Sequence, residues 1–311
     1  MSLSIAMLVN DRLLQPCVCR EVGDELASLR QCAAQVDAPD GLDPAPSELD
    51  LGVGHYHEGE ALLTRRPLTT GDPAREPHED AFGALFCAGR STCTLAHAMR
   101  RSARAFQPNE VQPFRFRDWL WVMSGDLEER PDFDHQSLAI PPYIRGNMRT
   151  WRPAEVAFHL FLAFLHRTAT LETFHWDRMG TRRALSSAIS ILAARYVAAG
   201  SGASPSYSIL TTNGEMLLGV GVGRQLFVRR LEGLADCRLC GAGRRPGSDA
   251  AGSVAHEHLK AILVADPAPA APDEKVSLWR PLKPGRLLEI DAGLGIEEGP
   301  LTPHGPPDAP G

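Results

Sequence analysis

Gln112-Pro113-Phe114, followed after a short polar link by Trp119-Leu120-Trp121-Val122-Met123-Ser124-Gly125-Asp126, is the stretch on which the fold of this 311-residue chain turns. Trp119 to Met123 is apolar throughout and rich in residues that favour an extended chain, so it reads as a buried strand. Side chains on a strand alternate with period two, which puts Trp119 and Trp121 on one face, where the simplest role is core packing. Upstream, Thr92 to Ala96 reads as another strand. Leu49 to Tyr56 and Glu60 to Thr64 read as two strands joined at the polar turn His57-Glu58-Gly59. Ser4 to Val9 reads as a short buried strand at the start, followed by an amphipathic helix from Glu21 to Val36 with Val22, Leu26, Leu29 and Ala33 on one face.

Downstream, Pro153 suits the first turn of a helix running to about His166. A second helix runs from about Trp176 to Ala199 and stops at Gly200-Ser201-Gly202. Ser206 to Leu210, Met216 to Val220 and Gln225 to Arg229 form a strand meander with turns at Asn213-Gly214 and near Gly223. Leu259 to Ala265 and Arg286 to Asp291 are the last strands expected. Asp37 to Pro46, Thr69 to His78 and Asp236 to Ser253 read as loops. The order of strands, a helix pair and strands again is an α+β pattern, not the alternation of a doubly wound parallel sheet. One domain is expected over residues 1–295, with a flexible Pro/Gly-rich tail over 296–311.

Composition sets outer bounds. Hydrophobic residues make up 43% of the chain and charged residues 23%, enough for a large core, and the net charge of −6 gives no drive toward nucleic acid or an anionic membrane. No apolar run is long enough to span a bilayer, and the start lacks a basic segment followed by an apolar one. Seven cysteines, unevenly spaced, suggest mostly free thiols, a reducing compartment and a cytoplasmic protein.

Several segments together resemble the class II glutamine amidotransferases, which are N-terminal nucleophile hydrolases. Met1-Ser2-Leu3 before a strand resembles the family's Met-Cys-Arg start. Leu51-Gly52-Val53-Gly54-His55-Tyr56 resembles its Trp-Gly-Ile-Gly-Trp-Tyr strand. Arg101-Ser102-Ala103 resembles the Arg-x-Ala-Thr segment that holds the substrate carboxylate. Gln112-Pro113-Phe114 and the stretch from Trp119 resemble His-Pro-Phe and Trp-Leu-Phe-Ala-His-Asn-Gly-Glu. Glu155 to Leu165 resembles the helix after Thr-Asp-Ser-Glu, and Leu210 to Gly214 with Gly223 to Leu226 resembles the later meander. The resemblance covers most of residues 1–295 and implies a four-layer αββα sandwich. The implied chemistry is hydrolysis of the glutamine side-chain amide, with ammonia passed to a second site or partner.

Such hydrolysis needs a nucleophile, a base, an oxyanion hole and a clamp on the substrate ends. The resemblance places Ser2 at the nucleophilic cysteine, Ser124 at the oxyanion asparagine and Gly125 at the retained glycine. Losing one oxyanion donor typically costs ~10²–10³ in turnover. Leu3, Gln112, Met123 and Pro153 stand where the family has arginine, histidine, histidine and a substrate-binding aspartate. Arg101 is the candidate carboxylate clamp, with Arg100 and Arg104 competing for the role. The resemblance therefore implies a degenerate site, with Ser2, Ser124 and Gly125 as its vestige, in a non-catalytic binding or assembly subunit. The alternative is an active amide hydrolase that uses Ser2 after removal of Met1.

Other groups have two readings each. Arg100, Arg101, Arg104, Arg115, Arg117, Arg145, Arg149 and Arg152 border the implied pocket. Either Arg100, Arg101 and Arg149 present a cationic surface to an anionic ligand or acidic partner, or the arginines are paired with Asp118, Glu128 and Glu129. Cys237 and Cys240 at CxxC spacing, with His256 and His258 beyond at a spacing shorter than the usual H-x₃₋₅-H, either hold zinc or are two thiols of a surface loop. His159 and His166 read as helix histidines and not as ligands. The expectations are no cofactor and no metal, with Cys237, Cys240 and His256 as the alternative ligand set. The expected partner is another protein or a second copy of the chain, with a small anionic ligand as the alternative, and neither nucleic acid nor membrane.

Overall fold

The computed structural model describes residues 2–34, 47–70, 81–101, 105–127, 140–167, 177–198, 205–237, 239–241, 255–269 and 278–301. Strand β1 (Ser2–Val9) leads into helices α1 (Gln15–Glu21) and α2 (Gly23–Ala34). The hairpin of β2 (Ser47–His57) and β3 (Glu60–Thr70) is followed by α3 (Ala81–Cys87) and β4 (Cys93–Arg100). Next come β5 (Phe114–Phe116), β6 (Trp119–Asp126), α4 (Pro142–Arg145), α5 (Pro153–Arg167) and α6 (Arg178–Ala198). The chain closes with β7 (Ser206–Thr212), β8 (Leu217–Val222), β9 (Leu226–Glu232), β10 (Lys260–Asp266), β11 (Arg280–Leu282), β12 (Arg286–Ile290) and β13 (Ile296–Pro300).

The strands make two antiparallel sheets, ordered β11-β9-β10-β1-β4-β2-β3 and β13-β12-β8-β7-β6-β5. Alternation along two strands explains how they stack. In β1, Leu3, Ile5, Met7 and Val9 pack with Val18, Leu26, Phe82 and Phe86 of α1, α2 and α3, while Ala6 and Leu8 join Leu120, Val122 and Leu210 between the sheets. In β6, Trp119, Trp121 and Met123 pack with Phe158 and Phe161 of α5 on the far side. Trp119 meets Phe161 edge-on at 5.0 Å between centroids, and Trp121 stacks on Phe158 at 5.6 Å. Such pairs contribute about 0.5–1.5 kcal/mol each beyond area burial. Helices cover both outer faces and an apolar cluster joins the sheets, which is the expected αββα sandwich. The shared face of Trp119 and Trp121 is as the period-two reading has it.

The β2–β3 hairpin turns at Glu58 and Gly59, both at positive φ (51° and 85°), the geometry of a two-residue primed turn. Gly52 lies where β2 crosses the Gln112-Pro113 segment. A Cβ there would stand 1.9 Å from the Gln112 carbonyl oxygen, so only glycine permits the approach. Arg65 of β3 secures the same segment by donating to the Pro113 carbonyl at 2.6 Å.

Several expectations change. The helix read from Glu21 is α2, which begins at Gly23 after a separate short helix α1 ends at Glu21, and Val22, Leu26 and Leu29 are buried as the spacing requires. The tail does not begin at residue 296. Ile296–Pro300 pairs with β12, and its Gly299-Pro300 end is tolerated because β13 is a sheet edge. Cys19 of α1 and Cys87 of α3 form a disulfide, so the thiols are not all free; Cys17, Cys93, Cys237 and Cys240 are the free ones among the described cysteines. No helix of the described residues is long and apolar enough to cross a membrane. Met1, Arg104, Glu128, Glu129 and Trp176 lie outside the described residues.

Candidate functional site

A cavity of about 270 Å³ opens where the start of β1 meets the end of β6. Its wall includes Ser2, Arg100, Glu110, Gln112, Gly125 and Arg152. Ser2, Ser4, Ala6 and Leu8 share the face of β1 that looks toward the second sheet, and Ser2 stands at the open end of that row. The Gly125 N–H donates to Ser2 Oγ at 3.1 Å. Gly125 has φ +108°, and a Cβ there would lie 2.3 Å from the Ser206 carbonyl oxygen, so the glycine is needed for the backbone to turn this N–H toward Ser2. Ser2 and Gly125 therefore meet at the cavity.

Ser124 is not part of the cavity. It is fully buried and its Oγ lies 2.6 Å from Ser4 Oγ between the sheets. The cause is again alternation: with Trp119, Trp121 and Met123 on the helix side of β6, Ser124 must join Leu120 and Val122 on the other. The expected carboxylate clamp is also corrected. Arg101 Nε donates to Asp50 at 2.7 Å and its Nη1 to Glu48 at 3.0 Å, which ties two of its three nitrogens to β2. Arg100, next in the chain, lines the cavity instead. Arg149 is exposed and absent from the wall, and its backbone N–H donates to Glu155.

Three polar wall residues, Glu110, Gln112 and Arg152, were outside the expected ligand set, and Arg152 pairs with Glu110. Gln112 holds the backbone of Met123 from both sides, its Oε1 accepting from the N–H at 2.7 Å and its Nε2 donating to the C=O at 3.0 Å. Glu155, buried at the third position of α5, accepts from the N–H groups of Arg149 (2.8 Å) and Thr150 (2.5 Å) and from the Thr150 hydroxyl (2.6 Å). This carboxylate fixes the turn that delivers Arg152. A Glu three residues into a helix was a readable capping signal, whereas Glu110–Arg152 joins distant loops and left no signal. Of the arginines, Arg101 pairs with Glu48 and Asp50 and Arg152 with Glu110, whereas Glu128 and Glu129 lie outside the described residues. His159 bonds the Glu155 carbonyl one turn back at 2.8 Å, as a helix histidine does.

The wall behind Ser2 is polar. Beside the Ser4–Ser124 contact, Ser208 bonds Asp266, and Arg224 Nε donates to the same carboxylate at 2.5 Å. His97, facing Ser4 in the β1–β4 register, is buried, and burial pushes its imidazole down to about 3, outweighing a contact with the Met123 carbonyl that favours the charged form. Burial also lowers His159 and His55. A histidine held below its unfolded value near ~6.5 stabilises the fold fully above that pH and loses the contribution as pH falls toward the folded value. For His97, unfolding free energy should therefore drop between pH 6.5 and 3, by up to ~1.4 kcal/mol per pH unit. Urea midpoints at pH 7 and 5 check this, and His97→Gln should flatten the slope by about one proton.

Elsewhere, Cys237, Cys240 and His256 do come together, and Cys17 of α1 joins them.

No protein-family model matches the chain, and no curated protein matches its sequence. Solved structures do. A glutamine aminotransferase class-II domain protein from Silicibacter pomeroyi aligns at TM-score 0.50 and 19% identity, over 83% of this chain and 100% of that one. The glutamine phosphoribosylpyrophosphate amidotransferase from B. subtilis aligns at TM-score 0.47 and 12% identity, over 96% of this chain and 49% of that one. A predicted glutamine amidotransferase from Pseudomonas aeruginosa aligns at TM-score 0.42 and 12% identity, over 94% and 97%. With its two facing antiparallel sheets between helices, the chain has the α+β fold of class II glutamine amidotransferase domains, the N-terminal nucleophile hydrolase fold.

Proposed function

We propose that this chain uses the class II amidotransferase fold without its glutaminase reaction, as a binding or assembly subunit. The observation that carries the reading is Ser124. Its hydroxyl is spent on Ser4 inside the sandwich, so the described part of β6 offers the cavity one oxyanion donor, the Gly125 N–H, which Ser2 Oγ already occupies. Arg101 is held by Asp50 and Glu48, and Pro153 stands in the wall where an aspartate would meet a substrate amine. A site without hole and clamp stabilises the transition state no better than the ground state. What the cavity retains is a small volume with Arg100 on its wall beside the Arg152–Glu110 pair, and Arg100 suits a small anion or an acidic side chain of a partner.

A second reading has its own support. Ser2 Oγ lies at the cavity beside a backbone donor, and a serine whose α-amine is freed by loss of Met1 has nucleophile and base in one residue. Glutamate release from glutamine, compared between wild type and Ser2→Ala, separates the two readings. The proposal expects the same absence of release in both.

A further inference from the structure

Three thiols and an imidazole meet on the outer face of the seven-stranded sheet, away from Ser2. The sulfurs of Cys17, Cys237 and Cys240 and a ring nitrogen of His256 all lie within 4.8 Å of one another. His256 Nε2 stands 3.4 Å from Cys17 Sγ and 3.3 Å from Cys240 Sγ. A tetrahedral ion with bonds of about 2.3 Å to sulfur and 2.0–2.1 Å to nitrogen has ligand-to-ligand edges of about 3.5–3.8 Å. The cluster is therefore already near the size that one ion would draw it to.

Its surroundings fit a metal better than a chance meeting of thiols. The Gly241 N–H donates to the Cys237 carbonyl at 3.0 Å, with Gly241 at φ +75°, which closes a tight turn around the CxxC pair. Cys17, Cys237 and His256 are buried and Cys240 is exposed, so an ion would be enclosed on three sides and could enter from the fourth. Three sulfurs and one imidazole are a soft donor set that selects zinc over magnesium or calcium, and four protein ligands leave no open position for substrate.

We infer that Cys17, Cys237, Cys240 and His256 bind one zinc ion in a closed structural site that pins α1 to the connection between β9 and β10. The site is independent of the reading of Ser2. The ion would tie a residue near the start of the chain to ligands more than two hundred positions on, across the junction of helix layer and sheet. Three thiols would give up their protons on binding, so retention should weaken in acid.

The test uses the full chain purified from zinc-supplemented medium without chelator, with metal measured by mass spectrometry. One zinc per chain is expected. Replacement by cobalt should give the intense visible bands of a tetrahedral thiolate site. Cys240→Ser, at the exposed ligand, should lose most of the zinc on dialysis, and chelator should lower the melting temperature of wild type but not of the variant. Absence of zinc from the wild type, or a weak octahedral cobalt spectrum, would overturn the inference. Full zinc retention in Cys240→Ser would do so too. If the variant does not fold, zinc content and the cobalt spectrum of the wild type decide the matter alone.

Discussion

Replacing Glu155 with alanine should lower the stability of the protein by about 3–5 kcal/mol, since it strands two N–H groups and a hydroxyl that now share one buried carboxylate, and bonds to charged acceptors are worth about 1.5–3 kcal/mol each. The loss is kept below the plain sum because water can enter once the carboxylate is gone. Glu155→Gln keeps an acceptor oxygen without the charge and should cost roughly half as much. Urea unfolding of both variants gives the comparison. Limited proteolysis adds a second readout: cleavage near Arg149 and Thr150 should accelerate in Glu155→Ala well below the unfolding transition. A stability unchanged within error would mean that the turn is held by something other than this carboxylate.

The second large effect is expected at Glu25. Its carboxylate pairs with Arg229, whose side chain is 5% exposed, and also accepts from Trp279 Nε1 at 3.2 Å. The three residues come from α2, β9 and the segment before β11, so the pair ties a helix to the sheet it covers. Glu25→Ala leaves a guanidinium buried without its counter-charge, and breaking a buried pair from one side costs about 3–5 kcal/mol. Removing both charges should cost less than removing one. The double variant Glu25→Ala with Arg229→Met is therefore expected to unfold at higher urea than Glu25→Ala alone. If the double variant is no more stable than the single one, Arg229 is not the residue that suffers.

These effects bear on how much of the molecule can be read from its residues. Elements with a clear period are legible. Trp119 and Trp121 announce a strand face, and Val22, Leu26 and Leu29 announce a helix face. Even the burial of Ser124 follows from counting in twos from Trp119, once the tryptophans are assigned to the core. The antiparallel pairing of β2 and β4 is different. It brings Arg101 beside Glu48 and Asp50, and a carboxylate some fifty positions away cannot be seen in local spacing. The same holds for Glu110 with Arg152 and for Cys17 with the CxxC pair, each joined by topology and not by pattern. The strand Ile296–Pro300 escaped for another reason: Gly and Pro signal a tail by composition, yet an edge strand accepts both. The fold is thus more legible than the site. Period identifies elements, while the cavity is assembled by contacts between elements far apart in the chain.

The Ser2 region draws these threads together. Ser2 and Gly125 meet at the cavity, where the Gly125 N–H donates to the Ser2 hydroxyl. The corrected pieces, Ser124 and Arg101, are side chains drawn into contacts elsewhere. The most direct measurement of that difference is glutamate release at saturating glutamine, using protein whose intact mass shows that Met1 has been removed, with Ser2→Ala alongside. The account predicts no release above buffer for either protein. Release by the wild type that disappears in Ser2→Ala would contradict it and would make Ser2 a working nucleophile.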